Sequence, residues 1–561
     1  MAALALWVRT ALEGLTIGVL YLLVKFMYSY WSASRSPLRN LRSPSERASW
    51  IFGHLRIMLG SANNEIQTRW AREFGHTFAI RGTFGKYQLL TTDTRAISQI
   101  LFDTQTFEKS ESKRRGKESL LGRSLLSTHG DEHKEQRRML NPAFGFSHMR
   151  DLTAVFLDKG AQLRDIWLNR CGEAGGSVRL DALDWMSRTS LDAIGKAGFD
   201  YDFGALNETE ERNELADAME KIFRTNVSGL DQMREILSYS FPLIRLVAPG
   251  DRIQVREDSR KKMDDIGMRI VQERKAAILA EVGGAKASID KNTVGGKDII
   301  SLLLQANLAS DVPNSQRISD KEVVSHIPTF IVAGHETTSN STTWAMFALA
   351  ENPDAQKKLR QEMLNLPDNP TLDELNALPY LDKVTREVLR LHTVVTYVER
   401  EAYADTVIPL GKPAVDRNGK TITQIMVKKG DQIMVPIWLI NRSKSIWGAD
   451  AEQFRPERWD NLPSEAAGIP GIAPNLMSFI GMPAVCVEIA FDDLLINQVD
   501  LTRFRFAIAE MKSLLFHIVR NFEWKLAVDP ADLITKTDVV MPPMNRHTKR
   551  VELQVVLSLV A

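Results

Sequence analysis

The feature that most constrains this chain is the stretch from Ser319 to Pro353. Ser319-Asp320-Lys321-Glu322 has the form of a capping box, in which the Ser hydroxyl takes a backbone N–H of the first turn and Glu322 reaches back to the cap. Pro353 supplies the stop, because its ring and missing N–H cannot continue the hydrogen-bond ladder. About 33 residues lie between these signals, roughly 50 Å of helix, enough to cross a large domain. Val323, Val324, Ile327, Phe330, Ile331, Ala345, Ala348 and Leu349 cover much of its surface, so the helix should be buried. Pro328 should kink it without ending it.

The middle of this helix reads Ala333-Gly334-His335-Glu336-Thr337-Thr338. A glycine there costs about 1 kcal/mol against alanine, and adjacent β-branched residues lose rotamer freedom. A carboxylate beside two hydroxyls in a buried helix needs a partner or a purpose. A zinc-protease reading fails at once, because the second His would fall at Ser339. Two readings stand: a core helix with one satisfied acid, or a groove opened by Gly334 in which an acid and an alcohol deliver protons.

Net charge is +1 over 561 residues, so there is no electrostatic case for nucleic acid. Two cysteines, Cys171 and Cys486, are too few for a disulfide framework and suit a reducing compartment. Residues 1–31 are mostly apolar but interrupted by Arg9, Glu13 and Lys25. The charge-free run Gly14 to Val24 is shorter than the roughly 20 residues that comfortably span a bilayer, although Arg9 and Lys25 can snorkel. Tyr28, Tyr30 and Trp31 resemble an interfacial belt, and Arg35, Arg39 and Arg42 place the downstream side in the cytosol. The expected organisation is a membrane anchor over 1–31, a hinge over 32–50 and a single large catalytic domain over 51–561. A cleaved signal peptide ending at Ser32-Ala33-Ser34 is the alternative.

Thr77 to Ile80 and Tyr87 to Thr91 read as a hairpin, followed by a helix from about Thr94. Phe107 to Arg123 is polar and basic, and reads by default as a solvated loop. His133-Lys134-Glu135-Gln136-Arg137-Arg138 opens a helix on which His133 and Arg137 share a face, by themselves no more than a solvated charged surface. Glu387 and Arg390 lie on one face of a later helix, a bare pattern without meaning.

Taken in order, however, these segments resemble one family, the haem-thiolate monooxygenases or cytochromes P-450. The central helix matches its A-G-x-[DE]-T-[TS] motif at every specified position, and His133-x-x-x-Arg137 resembles its W/H-x-x-x-R helix. Glu387-Val388-Leu389-Arg390 resembles its E-x-x-R motif, and Phe454-Arg455-Pro456-Glu457-Arg458-Trp459 its later F-x-x-E-R segment. The resemblance implies a mainly α fold with a small β part, sandwiching heme b between the Ala333–Thr338 helix and a cysteine loop. It implies that Glu336 and Thr337 relay protons, and that His133, Arg137 and Arg400 hold the haem propionates. Glu387, Arg390 and Arg458 would form a buried network, Leu237 to Pro249 a membrane-dipping lip, and Phe107 to Arg123 would lie between two helices and cap the substrate pocket. The implied reaction is insertion of one oxygen atom of O2 into a lipophilic substrate, a terpenoid or other secondary metabolite. Electrons would come from NADPH through a cytochrome P-450 reductase, with cytochrome b5 as a further partner. The implied location is the endoplasmic reticulum membrane, with the domain facing the cytosol.

The family's loop F-x-x-G-x-R-x-C-x-G is where the match breaks. Phe479 is present and Cys486 stands at the position of the iron's axial thiolate ligand. The inner Gly is Met482, the Arg is Ala484 and the Gly after the Cys is Glu488. The pattern resumes at Phe504-Arg505-Phe506-Ala507, so residues 488–502 read as an extra segment, in the manner of translated intron sequence. The changes remove a cation for a propionate and the conformational freedom of two glycines. A non-catalytic, haem-deficient relative is therefore the competing expectation.

Overall fold

The computed structural model describes residues 30–49, 51–140, 145–207, 213–223, 251–281, 298–308, 318–471, 475–480, 501–535 and 540–560. It also describes Thr16, Leu20, Tyr21, Leu23, Val24, Met27, Tyr28, Ala143, Arg234 and Ser238. Cys486 and nearly all of the expected lip at 237–249 lie outside these residues. The expected membrane-spanning helix is not found: no helix among the described residues is long and apolar enough to cross a membrane, and most of 1–31 lies outside them.

The architecture is mainly helical with small sheets, as the resemblance implies. Its central helix runs Asp320–Glu351, capped by Ser319 and Asn352. The capping box forms in full: Glu322 N–H donates to Ser319 Oγ at 3.3 Å, and Ser319 N–H donates to Glu322 Oε2 at 2.7 Å. The helix passes through Pro328 without ending. Its two halves sit in different cores. Val323, Val324, Ile327 and Ile331 pack with Ile266, Ile270 and Val271 of the Asp251–Glu281 helix. Ala345, Ala348 and Leu349 pack with Trp167, Leu381, Leu515 and Phe516.

The polar run Ser341-Thr342-Thr343 survives inside because each hydroxyl donates to the carbonyl four residues back, at 2.8, 2.9 and 2.7 Å. A third core lies under a five-stranded sheet. The strands stand in spatial order Thr77–Arg81, Tyr87–Thr91, Gln432–Val435, Val398–Ala402, Phe107–Glu108. Only the second and third of these pair in parallel. The expected hairpin is its first pair, and the helix after it, Thr94–Phe102, is capped by the Asp93 side chain.

Phe107 to Arg123 is not a solvated loop. Phe107 and Glu108 pair with Ala402 and Glu401, and a helix then runs Glu111–Leu121, ending at Gly122, whose φ of +82° suits glycine. Lys113 of this helix pairs with Glu399 of the Val398–Ala402 strand. Lys109, Lys113 and Lys117 recur at helical spacing on the side toward the interior, which a polarity average cannot reveal.

Candidate active site

A cavity of about 560 Å³, well within the range of small-molecule sites, collects four of the candidate residues: Thr337, His133, Arg137 and Arg400. Ala333, Gly334, Thr337 and Thr338 of the central helix form one wall. His133 and Arg137 reach it from the Gly130–Leu140 helix, and Arg400 from its strand. Phe479 and Ile480 on one side, and Phe504, Phe506 and Ala507 on the other, complete it. Described residues on both sides of the cysteine segment thus line the cavity, the rings of Phe479 and Phe504 lying 5.5 Å apart. Phe504 to Lys512 is helical, within Leu501–Asn521, as expected from the sequence. A groove of about 680 Å³ elsewhere, lined by Arg69, Trp344, His392 and Arg442, contains none of the motif residues.

Of the acid–alcohol pair, Thr337 lines the cavity. Thr337 Oγ donates back to the Ala333 carbonyl at 2.6 Å, which leaves its lone pairs as acceptors toward the cavity. Glu336 is not part of the described cavity lining. Gly334 is, and it also meets Ile194 of the Ala182–Phe199 helix: a Cβ there would stand 2.9 Å from Ile194 Cδ1. The glycine therefore serves close helix packing as well as opening the groove.

A second acid lies behind this wall and was not singled out in the sequence. Glu510 is fully buried, and its Oε1 accepts from Ser190 Oγ at 2.6 Å. The Ser190 hydroxyl also lies 3.3 Å from the His335 carbonyl. Oε2 of Glu510 and the cavity-lining Thr338 hydroxyl are buried without a well-formed hydrogen bond, yet close enough for Thr338 to favour the ionised acid. Burial dominates and pushes the carboxyl up to about 8, with Ser190 and Thr338 pulling the other way. Glu510 is thus neutral over most of the physiological range.

The sheet side of the cavity is cationic. Lys113 Nζ lies 2.8 Å from Glu399, which also accepts from Gln88 Nε2 at 3.1 Å. Glu399 pulls Lys113 up to about 12; burial raises the Glu399 carboxyl, but Lys113 overrides it and holds the acid below its ordinary value. Burial lowers Arg400 and pushes Lys117 down to about 8 and Lys109 to about 7, helped by their cationic neighbours. Lys113 is half-exposed and Lys109 and Lys117 are partly buried, and all three line the cavity.

Glu387, Arg390 and Arg458 do come together, and all three are essentially inaccessible. Arg390 forks onto Glu387 at 2.9 and 2.8 Å, and Arg458 Nε reaches the same carboxylate at 3.3 Å. Trp459 Nε1 and the Arg455 amide also donate to Glu387. The guanidiniums spend their remaining donors on the carbonyls of Asn441, Ala451, Trp447 and Asp450 and on the Asp450 carboxylate. The His133, Arg137 and Arg400 cluster lines the cavity; the Glu387 network lies outside its lining.

The donor set fits haem: apolar walls for a porphyrin face and fixed cations for its carboxylates. Comparison with known proteins agrees. The model of the family described as Cytochrome P450 matches residues 43–466, ending before Phe479 and the cysteine loop. The chain is 40% identical to Cytochrome P450 monooxygenase 205 of Postia placenta, over 91% of its own length and 90% of that protein's. It is 39% identical to monooxygenase 128 of the same fungus over the same shares, and 32% identical to a ganoderic acid synthetase of Ganoderma lucidum over 92% and 93%. Matched by the family model over most of its length and by relatives of up to 40% identity, this chain belongs to the cytochrome P450 family, as a monooxygenase.

Proposed function

We propose that the protein oxidises a lipophilic secondary metabolite, with O2 as oxidant and electrons delivered from NADPH by a reductase. The observation that carries this reading is the convergence of Gly334–Thr338, the cations and both ends of the cysteine segment on one cavity. The likeness to a ganoderic acid synthetase supports secondary-metabolite chemistry. When bound through a cysteine thiolate, haem supplies the reductive activation of O2.

The chain's own residues would do the rest. Arg137, Arg400 and His133 would hold the haem carboxylates and fix its orientation. Phe330, Phe479 and Phe506 would present apolar surface to substrate and exclude water. Thr337 Oγ would accept a hydrogen bond from a group in the cavity while its own proton stays on Ala333 O. Neutral Glu510 holds a proton on its carboxyl behind Thr338, and would return it toward the cavity through the Thr338 hydroxyl. Exposed Leu20, Leu23, Met27, Tyr28 and Trp31 support attachment to a membrane, and the expected setting is the cytosolic face of the endoplasmic reticulum.

The test is the absorption spectrum of the full chain, reduced and exposed to CO. A red-shifted Soret band reports thiolate-bound haem; a folded protein without the band overturns the reading. Arg137→Ala should weaken haem retention about tenfold or more, since a hydrogen bond to a charged group contributes about 1.5–3 kcal/mol. Haem transfer to an excess of apomyoglobin measures it, and an unchanged transfer rate would remove Arg137 from the cofactor site.

A further inference from the structure

Among its described lining residues, the cavity carries more cations than acids. Lys109, Lys113, Lys117, Arg137 and Arg400 line it, and Glu399 is the one acid among its described lining residues. Lys113 and Glu399 neutralise each other. Arg137 and Arg400 supply a guanidinium for each of two haem carboxylates, on the reading above. Lys109 and Lys117 remain. Lys109 Nζ meets only neutral carbonyls among the described residues, those of Leu125 and Leu126 at 3.2 and 3.5 Å. Lys117 makes no hydrogen bond or ion pair of its own among the described residues, and Glu399, the acid that attracts it, is already held by Lys113.

Burying cations without a counter-charge is costly, so such a pair is retained where an anion completes it. The sequence offers a second pointer. Ala484 stands where the family's loop carries an Arg, so this chain has one guanidinium fewer for carboxylates.

We propose that Lys117, backed by Lys109, forms a carboxylate-binding subsite on the helix wall of this cavity. The carboxylate is either a haem propionate, held here in place of the missing loop Arg, or the acid group of an acidic lipophilic substrate. The inference rests on the cavity being the haem and substrate site.

The groups around the pair set its pH response. Glu108, Arg114 and Arg400 face Lys109; Lys113, Glu399 and Arg400 face Lys117; His133, Arg137 and Tyr397 line the same cavity. With no carboxylate bound, the two lysines titrate near 7 and 8. A carboxylate favours the protonated forms, so binding takes up protons and weakens as pH rises from about 7 to 9.

The experiment uses the full chain as purified, with Lys117→Met and Lys117→Arg. Calorimetry compares decanoate with decanol from pH 7 to 9, which works whether or not haem is bound, and haem transfer to apomyoglobin is measured alongside. A substrate subsite predicts that decanoate binds about tenfold tighter than decanol, that this preference falls with pH, and that it vanishes in the Met variant. A propionate subsite predicts no such preference, with haem lost about tenfold faster from the Met variant. In either case the Arg variant should retain the wild-type behaviour. Unchanged haem loss together with no Lys117-dependent preference overturns the proposal. A missing Soret band in the wild type would overturn the haem reading instead, while calorimetry still decides on the carboxylate.

Discussion

Replacing Glu387 with alanine is expected to deprive the protein of its folded state. The carboxylate takes donors from Arg390, Arg458, Trp459 and the Arg455 amide. Removing it leaves two guanidiniums facing each other where no solvent reaches. Breaking a buried pair in this way costs about 3–5 kcal/mol, against a total stability of about 5–15 kcal/mol for typical domains. The network also ties the Pro379–Leu391 helix to the segment 441–459, so the loss falls on tertiary structure rather than on one helix. Soluble yield and the urea midpoint measure the effect. Glu387→Gln, which keeps the shape and one acceptor, should lie between wild type and alanine. An alanine variant within about 1 kcal/mol of wild type would show that the network is dispensable.

Glu510→Gln should act in the opposite sense and only above mildly acidic pH. The carboxyl has an ordinary value of 4.5 and is pushed up to about 8 in the folded protein by burial. Its contribution to stability is therefore fully present below 4.5, and is lost progressively as pH rises through 8. Between those limits the unfolded chain releases a proton that the native state keeps, a penalty of about 1.4 kcal/mol for each pH unit. Glutamine resembles the neutral acid and does not ionise. The two proteins should share a urea midpoint near pH 4.5 and diverge above it, the variant becoming more stable by several kcal/mol at pH 8. Parallel midpoints from pH 5 to 8 would show that Glu510 ionises normally in place.

The sequence and the structure agree where the determinants are local. The central helix announces itself through Ser319, Glu322 and Pro353, whose effects reach no further than a turn. The Glu387 network was legible only as an ordered set of motifs, because E-x-x-R spacing says nothing about a partner 71 residues away at Arg458. Two features could not be read. Lys109, Lys113 and Lys117 follow a helical repeat, but a cationic stripe ordinarily means a solvated face; the sheet pairing of Phe107 turns it inward. Glu510 reads as an ordinary helix-surface acid, and only the packing of the Ala182–Phe199 and Leu501–Asn521 helices around the central one hides it beside Ser190.

The closeness of Phe479 and Phe504 has a consequence for chain length. Holding the two ends of a connection close costs closure entropy, which grows only with the logarithm of the number of residues joined. Adding or removing the 15 residues 488–502 changes that term by roughly 1 kcal/mol. Closure of the chain between Phe479 and Phe504 thus sets little constraint on how many residues join them.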